Sequence, residues 1–112
     1  VADQVGCPTS TAGLAGACWR LVERQLGGVM HWSDAGAASW YDFAVAIGEL
    51  AEASGILDCP AQVQPISSAD YPTPAQRPAY SLLDCSSTRE LLGLMPKHWR
   101  QALREVIADV ES

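Results

Sequence analysis

The amino-acid sequence predicts a small mixed α/β domain of about four helices and several short strands. The first observation is the order of the candidate elements: strand, helix, strand, helix, strand, loop, strand, helix, helix, an alternation typical of α/β domains. The second is composition. The chain has 112 residues, 48% apolar and 18% charged, which is typical of a globular chain rather than a disordered one. We therefore expect a single domain over residues 1–112.

The first half of the chain predicts two short strands on either side of a helix. Residues 1–2 read as the end of a strand that leads into a loop. Residues 11–26 form the helix, because apolar side chains recur at helical spacing and Gly27–Gly28 then stops it. Residues 29–32 are the second strand. The apolar positions of the helix are Leu14, Cys18, Leu21 and Val22.

The second predicted helix begins at Ser39 and has the clearest signal. The Ser39 hydroxyl can accept a hydrogen bond at the helix start, and Asp42 three residues later completes a capping box. Gly55 ends the helix. Its expected core-facing residues are Trp40, Phe43, Ala44, Ile47, Leu50 and Ala51.

The second half of the chain begins with a proline-rich stretch. Residues 63–66 predict a strand, and the prolines that follow, up to Pro78, exclude a regular helix or a central strand. Residues 80–83 predict another short strand. A short helix capped by Asp84 or Ser87 then ends at Gly93. The last helix covers residues 98–110, and its expected core-facing stripe is Trp99, Leu103, Val106 and Val110.

Charge and hydropathy exclude two classes of partner. Seven basic and 13 acidic side chains give a net charge of −6, and Lys97 is the only lysine, so nucleic acid is excluded as a partner. No apolar run is long enough to span a membrane, and the N-terminus lacks the pattern of a signal peptide. We expect a soluble, cytoplasmic protein.

The four cysteines predict neither a metal site nor a disulfide framework. They form no Cys-x-x-Cys pair, and His31 and His98 lie far from them in sequence. Without a signal peptide, reduced thiols packed as small apolar groups are favoured over disulfides or metal ligation. The four are Cys7, Cys18, Cys59 and Cys85.

The sequence offers no catalytic motif. It contains no Gly-x-Gly-x-x-Gly, no nucleophile elbow and no Walker loop. A Tyr-x-x-x-Lys pair would need lysine four residues after a tyrosine, where the chain has Val45, Ala75 and Asp84. We therefore assign no catalytic, cofactor-binding or metal-binding residue.

The candidate binding segment is residues 71–84. Its prolines restrict the loop, and Arg77 is suited to a bidentate contact with a phosphate or carboxylate. The alternative is that Arg77 forms an ordinary ion pair with Asp84 or Asp70. The four tryptophans are expected in core or rim packing more often than as stacking platforms.

Five segments carry a family resemblance. They are residues 1–10 (VADQVGCPTS), 39–44 (SWYDFA), 65–67 (PIS), 71–84 (YPTPAQRPAYSLLD) and 99–103 (WRQAL). In this order they resemble the C-terminal part of the dTDP-4-dehydrorhamnose reductases, which are extended short-chain dehydrogenase/reductases, and the similarity runs the full length of the chain. One departure is Gly13, at a first-turn position where the family usually has an acid.

The resemblance implies the substrate-binding portion of an NADPH-dependent enzyme that reduces the 4-keto group of a dTDP-6-deoxy sugar. The Rossmann half, which binds NADPH and supplies the catalytic residues, is absent, so the chain reads as a fragment that is catalytically silent alone. Arg77 would contact the diphosphate. Gln4, Gly6 and Thr9 would lie near the sugar and the nicotinamide, and Tyr71 would also contact substrate.

Two alternatives to this function stay open. Because the family has non-catalytic relatives, the chain can be a reductase-like interaction subunit. It can also be a stand-alone assembly module without a ligand, in which case Arg77 is paired with an acid. In the family, the first helix and residues 29–32 pack onto the Rossmann half. Without that half their apolar surface would be exposed, so we expect a symmetric homodimer or a domain swap.

Overall fold

The structure, a computed structural model, describes residues 1–111 and consists of four helices and one pair of very short strands within that range. The elements are β1 (Val5–Gly6), α1 (Thr11–Glu23), β2 (Ala38–Ser39), α2 (Trp40–Ser54), a 3-10 turn (Ser68–Asp70), α3 (Ser86–Leu92) and α4 (Trp99–Glu111). β1 and β2 pair antiparallel, with Val5 opposite Ser39 and Gly6 opposite Ala38. The four expected helices are therefore present, whereas the sheet is much smaller than expected.

Helix α2 confirms the capping box. The Ser39 side chain accepts from the Asp42 backbone N–H at 3.0 Å, and the Asp42 carboxylate accepts from the Ser39 N–H at 2.9 Å. Gly55 ends the helix in the left-handed region at φ 88, which glycine adopts without steric cost.

Helix α1 is shorter than its apolar pattern predicts. Ser10 caps its start by accepting from the Gly13 N–H, but the helix ends at Glu23, with Arg24 as C-cap. Gln25 takes a φ of 52, which breaks the helix before the glycine pair at residues 27–28 is reached. Of its side chains only Ala17 is buried, and Leu14, Cys18 and Val22 are exposed.

The strands predicted at residues 1–2, 29–32, 63–66 and 80–83 are wrong. Val29 is 89% exposed, and the neighbouring His31 N–H bonds to a side chain, Thr88 Oγ1, rather than to a second strand. Residues 63–66 include Pro65, which has no N–H to donate to a ladder. Tyr80 forms only an isolated bridge with Val5, so the regular pairing falls on residues 5–6 instead.

Helix α3 ends at Gly93 as predicted, but neither predicted residue caps its start. Cys85 occupies the N-cap position without a side-chain hydrogen bond. Asp84 lies one residue earlier, and its carboxylate accepts from the Ser86 N–H at 3.0 Å.

The core forms where α2 packs against α4. Trp99 and Leu103 are buried as predicted, but Val106 and Val110 are exposed, because the stripe continues through Ile107 rather than through the two valines. Phe43 meets Trp99 edge to face at 6.3 Å between ring centroids. Trp40 and Ile47, expected in the core, are exposed.

Two further features bear on the expectations for membranes and thiols. Within the described part of the chain, no helix combines the length and the apolar character that crossing a bilayer requires.

All four cysteines are free, with Cys85 buried but Cys18 and Cys59 exposed. The expectation that the thiols pack in the interior is therefore wrong for Cys18 and Cys59.

Candidate functional site

A cavity of about 440 Å³ lies between three segments of the chain. Its walls are residues 4–9 around β1, the β2–α2 junction, and the loop that contains Arg77 and Pro78. Its size falls within the roughly 300–1,000 Å³ of small-molecule sites. We treat it as the candidate binding site.

Backbone hydrogen bonds fasten the Arg77 loop to β1. The Val5 N–H donates to the Ala79 carbonyl at 2.8 Å, and the Ser81 N–H donates to the Val5 carbonyl at 2.8 Å. Gly6 permits this close approach, because a Cβ at that position would lie 2.9 Å from Ser81 Oγ. Arg77 therefore lies two residues before Ala79, whose carbonyl is hydrogen-bonded to β1.

Arg77 lines the cavity and is exposed. No carboxylate of residues 1–110 lies within ion-pair distance of its guanidinium. The two acids considered as its partners are used locally, since Asp84 accepts from Ser86 and Asp70 accepts from the Ser67 N–H and hydroxyl. The Asp84 pKa is lowered by these Ser86 hydrogen bonds. Arg77 is therefore available to an anionic ligand.

The structure brings four of the five sequence-predicted site residues together. Gln4, Gly6, Thr9 and Arg77 all line the cavity. Tyr71 does not; it follows the 3-10 turn and is 63% exposed.

The segment before β1 is held by a second set of contacts. Gln4 Nε2 donates to Ser68 Oγ at 3.0 Å, and the Asp3 carboxylate accepts from the Ser68 N–H at 2.9 Å and from its hydroxyl at 2.7 Å. These Ser68 hydrogen bonds lower the pKa of Asp3. Ser68 therefore holds Asp3 and Gln4 in place, immediately before the residues of β1 that line the cavity.

A buried carboxylate holds the other end of this wall. Asp34 is 3% exposed, and its Oδ2 accepts from the Ser10 N–H at 3.0 Å at the start of α1. A Cβ at Gly13 would lie 3.1 Å from Asp34 Oδ1. Asp34 thus places a negative charge at the α1 N-terminus, where the helix dipole favours it, and an acid at position 13 would lie against it.

Thr9 and Cys7 are hydrogen-bonded to the backbone of Asp34. Thr9 Oγ1 donates to the Cys7 carbonyl at 3.1 Å and accepts from the Asp34 N–H at 3.2 Å. Cys7 Sγ donates to the Asp34 carbonyl at 2.9 Å. Burial, followed by the nearby Asp34 charge, raises the pKa of the Cys7 thiol, so Cys7 is a neutral wall group and a poor nucleophile.

The sequence analysis did not assign two aromatic residues that line the cavity. Phe43 and Trp40 line the cavity, and Trp40 is 63% exposed. Helical spacing put both on the core face of α2. The helical pattern carries no signal for Trp40, because its exposure depends on how the strand pair meets the first turn of α2.

The described residues do not fit a dinucleotide cofactor. Such a cofactor needs a glycine-rich turn between a strand and a helix N-terminus, whereas β1 leads into α1 through Cys7, Pro8, Thr9 and Ser10. No group of three or more metal-ligating side chains occurs within residues 1–110. We derive no hydride-transfer step from this chain.

A small helical domain with a mostly apolar cavity, and with an exposed arginine on its wall, has the form of a small-molecule-binding domain. The chain belongs to the family described as the RmlD substrate binding domain, which matches residues 1–112. This confirms the resemblance to the dTDP-4-dehydrorhamnose reductases.

Named relatives and solved structures agree with this membership. A dTDP-4-dehydrorhamnose reductase of Aggregatibacter actinomycetemcomitans is 37% identical over 99% of this chain and 40% of that protein. A probable dTDP-4,6-dihydroxy-2-methyloxan-3-one 4-ketoreductase of Streptomyces antibioticus is 42% identical over 98% of this chain and 36% of that protein.

Among solved structures, a dTDP-4-dehydrorhamnose reductase of Clostridium acetobutylicum matches with a TM-score of 0.86 at 37% identity, over 100% of this chain and 38% of that one. The reductase of Bacillus anthracis, solved in complex with NADP, gives a TM-score of 0.84 at 30% identity, over 96% of this chain and 36% of that one. The chain thus spans less than half the length of the proteins that it resembles.

Proposed function

We propose that this chain supplies the nucleotide-sugar site of an NADPH-dependent dTDP-4-dehydrorhamnose reductase, with the cavity at β1 and Arg77 as that site. Its substrate would be a dTDP-6-deoxy-4-keto-hexose, reduced on the way to dTDP-L-rhamnose. The observation that carries the proposal is the unpaired Arg77 at the rim of a cavity built from the family's own motifs.

A guanidinium is well suited to this task. It presents two parallel donors to a diphosphate, and its planar group loses little freedom on binding. In a chain of net charge −6, few other places attract a nucleoside diphosphate. Arg100 pairs with Glu49 at 2.8 Å and Lys97 with Glu105 at 2.7 Å, so these cations are already engaged.

The division of labour in the whole enzyme is part of the proposal. The present residues would bind and orient the nucleotide sugar, and an N-terminal Rossmann half of the extended short-chain dehydrogenase/reductase type would hold NADPH and the catalytic groups. Residues 1–112 then act as one substrate-binding domain. Two readings compete with this one: an interaction subunit without a nucleotide ligand, and an assembly module in which Arg77 is paired. Because Arg77 has no ion-pair partner among the described residues, the assembly module is the less favoured of these two readings.

The test is a calorimetric titration of dTDP-rhamnose into the wild type and two variants at position 77. Arg77→Ala should weaken binding by roughly ten- to a hundredfold, the cost of one charge-assisted contact, and Arg77→Lys should restore only part of it. Arg104→Ala is the matched control, since Arg104 is an exposed arginine of α4 outside the cavity. Equal affinity of wild type and Arg77→Ala would show that Arg77 is not the anion site.

A further inference from the structure

A smaller cavity, of about 250 Å³, adjoins the candidate binding site at the start of helix α1. The two cavities share Pro8, Thr9 and Phe43. The smaller one is also lined by Ser10 and by the buried Asp34. An anionic ligand in the candidate site therefore lies near two features that can attract it, the Arg77 guanidinium and the N-terminus of α1.

The N-terminus of α1 has no negative charge of its own. The first N–H groups of a helix lack partners within the helix, and the helix dipole is positive at that end, so this end attracts anions. α1 has no acid in its first turn. Ser10 caps the helix with a neutral hydroxyl, which accepts from the Gly13 N–H at 3.1 Å. Any neutralising charge must therefore come from another part of the chain.

Asp34 supplies this charge from 24 positions further along the chain. Its Oδ2 accepts from the Ser10 N–H at 3.0 Å, the residue is 3% exposed, and no ion pair of the described residues includes it. Gly13 leaves room for the carboxylate, since a Cβ there would lie 3.1 Å from Asp34 Oδ1. The carboxylate thus occupies the place that a bound anion would take at this end of α1.

The backbone of Asp34 is held against the wall that the two cavities share. Its N–H donates to Thr9 Oγ1 at 3.2 Å, and its carbonyl accepts from Cys7 Sγ at 2.9 Å and from the Ser33 hydroxyl at 3.0 Å. The negative charge is therefore in position before a ligand arrives.

We propose that Asp34 is a specificity-determining residue of the site: its carboxylate fills the anion-binding end of α1 and repels a diphosphate from it, so that the diphosphate is received by Arg77. Like charges brought together at a binding surface suppress the wrong arrangement more than they weaken the right one. Asp34 and Arg77 would together fix which way round the nucleotide sugar enters the cavity. This deepens the proposed function and rests on it.

The experiment uses inorganic pyrophosphate as the probe and follows the backbone amide signals by NMR. The signals of Thr11 and Ala12, the α1 amides, report on the helix end, and those of Gln76 and Arg77, the loop amides, report on the proposed anion site. Pyrophosphate is titrated into the wild type and into variants whose folding is checked by circular dichroism.

Two substitutions remove the charge at position 34. Asp34→Asn keeps an acceptor for the Ser10 N–H, and Asp34→Ala leaves room for a carboxylate introduced by Gly13→Asp. Asp58→Asn is the matched control, because it changes the net charge equally at an exposed residue that lines neither cavity.

In the wild type and in Asp58→Asn, pyrophosphate should shift the loop amides and leave the α1 amides in place. In Asp34→Asn and Asp34→Ala the α1 amides should also respond. Adding Asp34→Asn to Arg77→Ala should tighten pyrophosphate binding about two- to fivefold, the usual effect of one charge at a helix terminus.

Returning a carboxylate to the helix end distinguishes this role from a purely structural one. Gly13→Asp combined with Asp34→Ala should silence the α1 amides again, whereas a substitution that merely loosened the fold would not produce a pyrophosphate response that a second carboxylate removes.

Three results would overturn the inference in distinguishable ways. If the α1 amides of Asp34→Asn and Asp34→Ala do not respond, Asp34 does not guard the helix end, although a response of the loop amides leaves the proposed function standing. If the α1 amides of the wild type already respond, the carboxylate does not exclude the anion. If the loop amides respond in no protein, the proposed anion site fails, and the role of Asp34 in directing a ligand to Arg77 fails with it.

Discussion

Gly36 lies in the segment that joins the cavity wall to helix α4, and replacing it should destabilise the fold strongly. Its φ is 95, a left-handed conformation that costs a residue with a side chain about 1–2 kcal/mol. A Cβ there would also lie 2.6 Å from His98 Nε2 and 3.0 Å from Trp99 Cδ1. Overpacking of this kind costs about 1–3 kcal/mol.

The Gly36→Ala substitution should therefore lower the free energy of unfolding by about 2–5 kcal/mol, the sum of the two costs. The damage should extend to the site, because the Ala35 N–H donates to the Lys97 carbonyl and the Trp99 N–H to the Ala35 carbonyl on either side of this contact. Urea unfolding followed by tryptophan fluorescence and by circular dichroism measures the change.

A double-mutant cycle with His98→Ala separates the two costs. His98→Ala alone loses the hydrogen bond from the Arg100 N–H to Nδ1 and should cost about 0.5–1.5 kcal/mol. In that background Gly36→Ala should cost less than in the wild type, by part of the about 1–3 kcal/mol of overpacking, since the imidazole has gone but the backbone strain and Trp99 remain. Strict additivity of the two substitutions would refute the steric part of this reasoning.

Three further outcomes are expected. The chain alone, mixed with NADPH and dTDP-4-keto-rhamnose, should show no loss of NADPH absorbance, because its sequence has neither a Gly-x-Gly-x-x-Gly cradle nor a Tyr-x-x-x-Lys pair; turnover above a buffer blank would contradict this. Light scattering at high concentration should give the mass of a dimer, since Trp19 and Val22 of α1 are 67% and 66% exposed; a one-chain mass would count against it. The Ser68 hydrogen bonds hold the pKa of Asp3 below its ordinary value of 3.8, so their stabilisation is present above that pH and is lost as pH falls through the lowered pKa. The stability difference between wild type and Asp3→Asn should accordingly shrink below about pH 3.8, and a difference that is constant with pH would refute the assignment.

Local signals in the sequence predicted the helices well and the strands badly. The Ser39–Asp42 capping box and the glycines at positions 55 and 93 act through neighbouring residues, so their effect can be read from spacing alone. The pairing of β1 with β2 depends on residues more than 30 positions apart. Strands of two residues are too short to show the side-chain alternation from which a strand is predicted.

The site shows the same distinction between local and distant causes. That Asp70 and Asp84 bond to nearby backbone groups was readable in principle, because each accepts a hydrogen bond from a residue within three positions. The exposure of Trp40 was not readable from the helical pattern, because it depends on how the strand pair meets the first turn of α2. The burial of Asp34 at the start of α1 likewise joins residues 24 positions apart.

The hydrogen-bond arrangement also explains how a domain whose only strand pair in residues 1–111 is two residues long can keep a defined cavity. The floor of the site is one two-residue strand pair, and its walls are fastened to that pair by bonds to Val5, Ser68 and Asp34. These polar groups hold the walls together, and Arg77, which has no ion-pair partner, is the wall residue that we propose for contact with the ligand. A ligand that binds only the folded state stabilises it in proportion to its occupancy. Thermal unfolding with dTDP should therefore shift upward in the wild type and less in Arg77→Ala, and equal shifts in the two proteins would show that Arg77 does not contact the nucleotide.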